Sequence, residues 1–380
     1  MEKKRKIKPI AFYLPQFHSI PENDAAYGEG FTEWTNVKKA KPLFEHHYQP
    51  RTPLNNNYYC LLDDGVMEKQ AELAKQYGLY GFCYYHYWFK DGKKVLEKPL
   101  EMMLRNRKIN IPFCLCWANE NWTKRWDGGN NEIILEQDYD DKEQLKKHIS
   151  YLISFFKDER YIKINNKPIL IIYKPDQIPK LDEVIKIIRS EVRRHGFDGI
   201  VLISQHHSFY FNKKDLNLFD YHIQFQPLFS YVDSLNRKWS LKNFIKKMLI
   251  KMKLVNILGY TRNKINSTRQ EKLKVVSYDD VWNSILNYKV HDKKLIAGAF
   301  VDWDNTPRRK NGTCFYGSNP EKYKYYMKQL IKKINNEYAS DLLFINAWNE
   351  WGESAYLEPD EKYSYKYLEA LKEAVDDREN

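Results

Sequence analysis

Cysteine is scarce and odd in number in this chain: Cys60, Cys83, Cys114, Cys116 and Cys314 are the only ones in 380 residues. No C-x-x-C pair accompanies them, and Cys83, Cys114 and Cys116 sit inside apolar runs. Reduced, structural thiols of a cytoplasmic protein are expected, not a disulfide framework, a metal site or a redox pair. Long hydrophobic runs are missing too. No segment reaches the roughly 18 uninterrupted apolar residues that a membrane span needs. The basic start, Met1 to Lys8, leads only into a short apolar run broken by Pro9 and Pro15, so no secretory signal is expected. No G-x-G-x-x-G or G-x-x-x-x-G-K-[ST] follows an apolar run, which argues against a dinucleotide or P-loop fold.

Aromatic side chains are abundant instead: 15% of residues, with 29 Tyr and 10 Trp, within a hydrophobic content of 43%. That supports a large core and leaves rings to line a groove, where flat apolar faces stack on sugars or bases. Apolar runs and helical patterns alternate along the chain. Strands are expected at Lys8–Leu14, Tyr80–Tyr85, Ile111–Trp117, Pro168–Tyr173, Gly199–Ser204, Asp220–Phe225, Leu295–Phe300 and Leu342–Ala347. Helices are expected near 63–77, 94–107, 141–156, 181–195, 279–288 and 321–338, with a terminal helix from Lys362. The connection between the fifth and sixth strands shows no clear helix. Strands alternating with helices imply a parallel sheet, and eight of them favour a closed (β/α)8 TIM barrel, one catalytic domain over residues 1–380.

In such a barrel the C-terminal ends of all strands open on one face. Polar and aromatic clusters fall at those ends repeatedly: Tyr13, Gln16 and His18; His86 and Trp88; Trp117, Asn119, Glu120 and Trp122, continuing to Trp126; Tyr173; Gln205 to His207; Gln224 and Gln226; Asp302 to Asp304. The stretch Gly28 to Trp34, with Glu33, has the composition of a binding loop rather than a packed element. The last strand runs into Trp348-Asn349-Glu350-Trp351-Gly352-Glu353. A turn at Trp351 and Gly352 brings Glu350 and Glu353 to one side, and paired carboxylates beside aromatic platforms suit glycosidic chemistry. Substrate contacts are expected from Tyr13, Gln16, His18, Glu33, Trp34, His86, Trp88, Trp117, Asn119, Glu120, Trp122, Trp126, Gln224, Asp304, Asn349 and Trp351.

Residues 227–277 form a long insertion after the sixth strand. Between Arg237 and Lys274 it carries twelve basic residues against the single acid Glu271, and apolar residues recur there at helical spacing. Three readings stand for this basic amphipathic segment: an anionic membrane surface, a polyanionic glycan, or a helix docked on the barrel with a solvated Lys face. No recognition motif accompanies the charge, so nucleic acid is not an expected partner. A cytoplasmic location, peripheral at the inner face of the membrane, is expected.

The motifs Ala11-Phe12-Tyr13-Leu14-Pro15-Gln16-Phe17-His18, Gly30-Phe31-Thr32-Glu33-Trp34, Tyr80-Gly81-Phe82 through Trp88, Trp117 to Trp122, Trp303-Asp304-Asn305-Thr306-Pro307-Arg308 and Asn349 to Glu353 resemble the WbsX-like proteins. That group is related to glycoside hydrolase family 99 and occurs in bacterial O-antigen and capsule polysaccharide biosynthesis. The resemblance implies a (β/α)8 barrel and retaining chemistry at an α-linked, mannoside-like sugar. It assigns Glu350 as base on the sugar's own 2-hydroxyl, giving a 1,2-anhydro intermediate, and Glu353 as acid and then base. No metal and no cofactor are expected. Gly352 stands where hydrolytic members commonly have His, which leaves a smaller wall near the leaving group. The resemblance leaves open a glycosyltransferase or transglycosidase in place of a hydrolase, and a non-catalytic carbohydrate-binding barrel. The expected partner is a polysaccharide or oligosaccharide.

Overall fold

A computed structural model describes residues 5–124, 132–207, 216–231, 273–309 and 311–377. Eight strands form its centre: β1 (Lys8–Tyr13), β2 (Gly81–Trp88), β3 (Phe113–Trp117), β4 (Lys167–Ile172), β5 (Val201–His206), β6 (Tyr221–Gln224), β7 (Leu295–Phe300) and β8 (Leu342–Asn346). Each pairs in parallel with the next, and β8 closes on β1 through partners such as Ile10 and Phe344. The sheet is thus a closed parallel barrel, the architecture that the strand count called for. Continuous apolar sequences such as 168–172 form these strands because both faces are covered, the inner by the barrel core and the outer by helices. The barrel packs tightly enough that a side chain on Gly298 would run into the backbone carbonyl of Gln224 on β6.

Helices α1 (Pro21–Tyr27), α2 (Glu33–Lys39), α3 (Val66–Gln76), α4 (Glu97–Arg105), α5 (Lys142–Phe156), α6 (Leu181–Arg194), α7 (Tyr278–Leu286), α8 (Pro320–Glu337) and α9 (Lys366–Asp376) accompany the barrel. Several begin where side chains satisfy the unpaired amides of the first turn. Asp141 accepts from the amides of Glu143 and Gln144, Ser277 from Asp280, and Asn319 from Lys322 ahead of Pro320. The last helix starts four residues later than its pattern suggested. Asp360 organises a turn first, its carboxylate accepting from the Tyr363 amide at 2.6 Å and its carbonyl from the Ser364 amide at 2.8 Å.

The stretch from Gly28 to Trp34 departs from expectation. Only its first part is loop. Thr32 caps α2 in a reciprocal capping box with Thr35, so Glu33 and Trp34 are helix-borne and buried. Residues 208–215, between β5 and β6, and most of the basic insertion lie outside the described residues. The insertion's flanks are placed: a helical turn leaves β6 at 228–231, and Lys274–Ser277 pairs in parallel with Thr313–Tyr316 before α7. Among the described residues no helix is long and apolar enough to cross a membrane.

Candidate active site

At the C-terminal ends of the strands lies a cleft of ≈ 490 Å³. Glu350 and Glu353 both line it. They stand on the turn after β8, where Asn349 and Glu350 pair with Ala355 and Tyr356 in a short antiparallel ribbon and Trp351–Glu353 make a single 3-10 turn. Asn349 pins that turn to the end of β1: its Oδ1 accepts from the Leu14 amide at 2.7 Å and its Nδ2 donates to the Leu14 carbonyl at 3.0 Å. Beneath it, the Trp351 indole donates to Glu358 at 2.6 Å and stacks on Tyr356. Glu358 also accepts from the Tyr59 hydroxyl and the Gln70 amide, and burial pushes its carboxyl up to about 7 against those donors.

One guanidinium joins the two carboxylates. Arg308 donates from Nη1 to Glu353 Oε1 at 2.7 Å, and from Nη2 to Glu350 Oε2 at 3.1 Å and to Glu33 Oε1 at 2.7 Å. Glu33 Oε1 also accepts from the Gly352 amide at 2.6 Å. Side-chain exposure falls from 22% at Glu353 to 9% at Glu350 and 0% at Glu33. Burial pushes the Glu350 carboxyl up to about 8; Arg308 pulls it back, while Glu353 and Glu33 push with the burial. Burial also raises Glu353, with Arg308 and Arg309 opposing and Glu33 adding to the rise. A carboxyl held neutral near pH 7 can donate a proton, which is the state a general acid needs.

The walls come from several strands. Tyr85 and Tyr87 of β2, Tyr173 after β4, Phe225 after β6 and Trp303 after β7 face the cleft, with Glu120, Asn121 and Trp122 on the side of the loop after β3. Trp122 also stacks on Tyr87 and Phe89. Of the residues expected from sequence, Glu350, Glu353, Glu120 and Trp122 therefore meet at the cleft, and Glu33 reaches it through Arg308.

The others sit behind its walls. His86, Trp88 and Trp117 point away from the barrel axis and pack on His148 of α5; His86 Nε2 lies 2.9 Å from His148 Nε2, and burial lowers His86 to about 3. Their neighbours in the strand, Tyr85 and Tyr87, take the cleft side, because successive side chains of a strand face opposite ways. Tyr13 likewise points outward, its hydroxyl donating to Gln70 of α3. Gln16 is buried and receives the Glu33 amide on its carbonyl. His18 is buried, and burial, with Lys98 nearby, lowers it to about 4. The Trp34 indole donates to the Tyr59 carbonyl and packs on Trp351. Asn119 ties the loop after β3 to Lys174 through two bonds of 2.8 Å. Gln224 accepts from the Tyr338 hydroxyl. Trp126 lies outside the described residues.

Asp304 is also scaffold. It accepts from His47 Nε2 at 2.7 Å, Gln49 Nε2 at 2.6 Å and the Thr306 amide at 3.0 Å. His47, Asp304 and Cys314 form a trio close enough for a metal ion. Yet His47 Nδ1 accepts from the Leu43 amide, which places the ring proton on Nε2 and commits that nitrogen to Asp304. Asp302 is bound to Arg51 at 2.7 Å. Both carboxylates of the Asp302-Trp303-Asp304 spacing are thus spoken for by cationic or N–H partners. At Gly352, the space that a side chain would enter is filled by the Glu33 carboxylate and Arg308.

Sequence reasoning passed over Arg308, Tyr85 and Tyr87. The arginine's signal was available: it is a cation in a strand-end motif opposite paired acids, where an ion-pair partner is required.

Comparison with known proteins bears on the whole arrangement. A Bacteroides thetaiotaomicron GH99 endo-α-mannosidase, solved with bis-tris propane, superposes with a TM-score of 0.53 at 15% identity, over 97% of this chain and 96% of that one. A structure described as a glycoside hydrolase-like protein superposes with a TM-score of 0.57 at 12% identity, over 99% and 95%. At such identities the likeness speaks for the fold. WxcX of Xanthomonas campestris pv. campestris is 34% identical over 369 residues, covering 96% of this chain and 49% of the relative. The chain spans about half the length of the curated relatives it matches. The family described as Glycosyltransferase WbsX matches residues 9–371, which takes in every barrel strand but the first residue of β1 and every element of the cleft, and the chain belongs to that family.

Proposed function

We propose that this chain is a carbohydrate-active enzyme that cleaves a glycosidic bond with retention and passes the sugar to an acceptor hydroxyl in bacterial polysaccharide synthesis. One observation carries the reading: Glu350 and Glu353 share the floor of one aromatic-walled cleft and one guanidinium. The family description favours transfer to a sugar over transfer to water. The engaged state of Asp302 and Asp304 speaks against a metal-bound nucleotide sugar at that motif.

The chemistry follows the roles that the resemblance assigns. Glu350 takes the proton of the donor's 2-hydroxyl, O2 attacks C1, and the bond from C1 to the leaving oxygen breaks as Glu353 protonates that oxygen. In the second half Glu353 takes the acceptor's proton, the acceptor oxygen attacks C1, the C1–O2 bond of the 1,2-anhydro sugar opens, and Glu350 returns the proton to O2. This departs from the scheme with a carboxylate nucleophile, so carboxylate separation does not report the outcome. The geometry of the pair has the opposite bias. Glu350 is the more buried of the two and lies farther from Arg308 than Glu353 does, so it favours the proton. The reading therefore requires a proton to pass from Glu350 to the Glu353 side as the sugar binds.

The test is incubation with envelope polysaccharide of the source organism in ¹⁸O-water, followed by mass spectrometry. Longer or rearranged chains without ¹⁸O mark transfer, and ¹⁸O at new reducing ends marks hydrolysis. No product, or product unchanged in Glu353→Gln, would sink the reading.

A further inference from the structure

Glu33 is the least accessible member of the four-group cluster, and its Oε1 accepts from two N–H groups, one of Arg308 and one of Gly352. Its other oxygen, Oε2, is buried with no hydrogen-bond partner among the described residues, so Arg308 and the Gly352 amide are what this carboxyl group binds. Glu33 thus engages the one guanidinium that also serves Glu350 and Glu353. The two carboxyls face each other across a cation already shared with a third, in a site with little water to screen them. Under those conditions both do not ionise together.

We propose that Glu33, acting through Arg308, is a positioning residue that fixes the proton count of the Glu350 and Glu353 pair at one near neutral pH. The inference rests on the glycosyl-transfer reading only for the use made of that proton. Among the other described titratable groups that face the pair, positive charge comes only from the exposed rim, where water screens it. Tyr85 and Tyr87 from β2 and Tyr173 from after β4 are neutral, their hydroxyls pushed up by burial and by the carboxylates themselves. Glu120 adds negative charge beside Tyr173. Arg309, exposed on the loop after β7, opposes the rise at Glu353 from the rim.

The experiment is a titration of side-chain carboxyl carbons by NMR in protein labelled at glutamate Cδ, assigned by comparison with Glu350→Gln and Glu353→Gln. In the unsubstituted protein one carboxyl of the pair retains its proton at pH 7. Glu33→Gln frees Arg308 for the pair and lowers the titration midpoint by about one pH unit or more, whereas Arg308→Gln raises it. Arg308→Lys, which keeps the charge, leaves the midpoint nearer the original. A spacer role for Glu33 would lower the melting temperature without these opposed shifts, and that result overturns the proposal. So does an unsubstituted protein in which both carboxyls are ionised at pH 6, a result that stands even where the variants fail to fold. The titration needs no substrate. Opposed shifts in a protein inert toward glycans would sink the functional reading alone, and absent shifts in an active protein would sink this one alone.

Discussion

Gly352 and Glu33 lie so close that a Cβ on the glycine would fall inside the van der Waals surface of Glu33 Oε1 and only 2.9 Å from Arg308 Nε. The two residues are far apart in sequence, yet the bond from the Gly352 amide to Glu33 is one of the clamps that aim the turn carrying Glu350 and Glu353. Gly352→Ala must displace Glu33 or bend the turn. We expect the variant to fold, to melt a few degrees lower and to lose roughly 10- to 100-fold in kcat, since misplacement of about 1 Å can cost that much. A variant with unchanged kcat would show that Glu33 does not position the turn.

The carboxyl of Glu350 is raised to about 8 in the fold, above its usual value of 4.5. Between those values the native protein holds a proton that the unfolded chain releases, so this residue's contribution is fully present below the lower value and is lost as pH rises through 8. The slope is on the order of 1 kcal/mol per pH unit. Glu350→Gln cannot ionise. Its melting temperature relative to the unsubstituted protein should climb between pH 5 and pH 9, and a difference that stays flat or falls would contradict the burial account.

The buried pair His86 and His148 predicts the reverse dependence on the acid side. Burial lowers His86 to about 3 and His148 well below the usual value, so the unfolded chain binds protons below pH 6.5 that the fold refuses. Stability present above pH 6.5 should therefore drain away as pH falls toward 4, in a urea midpoint measured across that range. His148→Gln should start lower at pH 7 and lose less per pH unit.

Glu358 ends three hydrogen bonds under the turn, from Tyr59, Gln70 and Trp351. Glu358→Ala leaves those donors buried without an acceptor and should cost about 2–4 kcal/mol in chemical denaturation. Glu358→Gln keeps an acceptor oxygen and should cost less. Equal losses would mean that packing, not acceptance of those bonds, is the residue's contribution.

How far the sequence could be read depends on what each residue's neighbours demand. The barrel was legible because apolar runs such as Leu295–Phe300 and Leu342–Asn346 alternate with helices that carry their own start signals, among them Asp141 and Asn319. Glu350 and Glu353 were legible because a two-residue gap in a turn leaves them one side to share. Strand phase was not. In Gly81–Trp88 every residue is bulky or apolar on both faces, so nothing local says that Tyr85 and Tyr87 look into the cleft while His86 and Trp88 look out at α5. The same ambiguity put Tyr13 and Trp117 on the wrong face. Glu33 was read as loop because Gly28 and Gly30 dominate its surroundings; the Thr32 cap was the available sign that a helix begins there.

The proposed roles differ in what they need from a leaving group. A donor whose leaving group requires no proton should rescue Glu353→Gln to within about 10-fold of the unsubstituted enzyme, while a natural glycan is turned over 10² to 10⁴ times more slowly. Glu350→Gln should fail on both, as should a 2-fluoro donor with the unsubstituted enzyme. Rescue of Glu350→Gln instead would exchange the two roles, in keeping with the deeper burial of Glu350, and leave the site standing.

The most direct measurement is product formation from a glycan donor, followed by mass spectrometry in ¹⁸O-water with no nucleotide sugar and no added divalent cation, comparing the unsubstituted protein with the doubly substituted Glu350→Gln, Glu353→Gln form. The account predicts chain-extended products without ¹⁸O from the first and none from the second. Turnover by the double variant at the original rate, or turnover that begins only when a nucleotide sugar and a divalent cation are supplied, would contradict it.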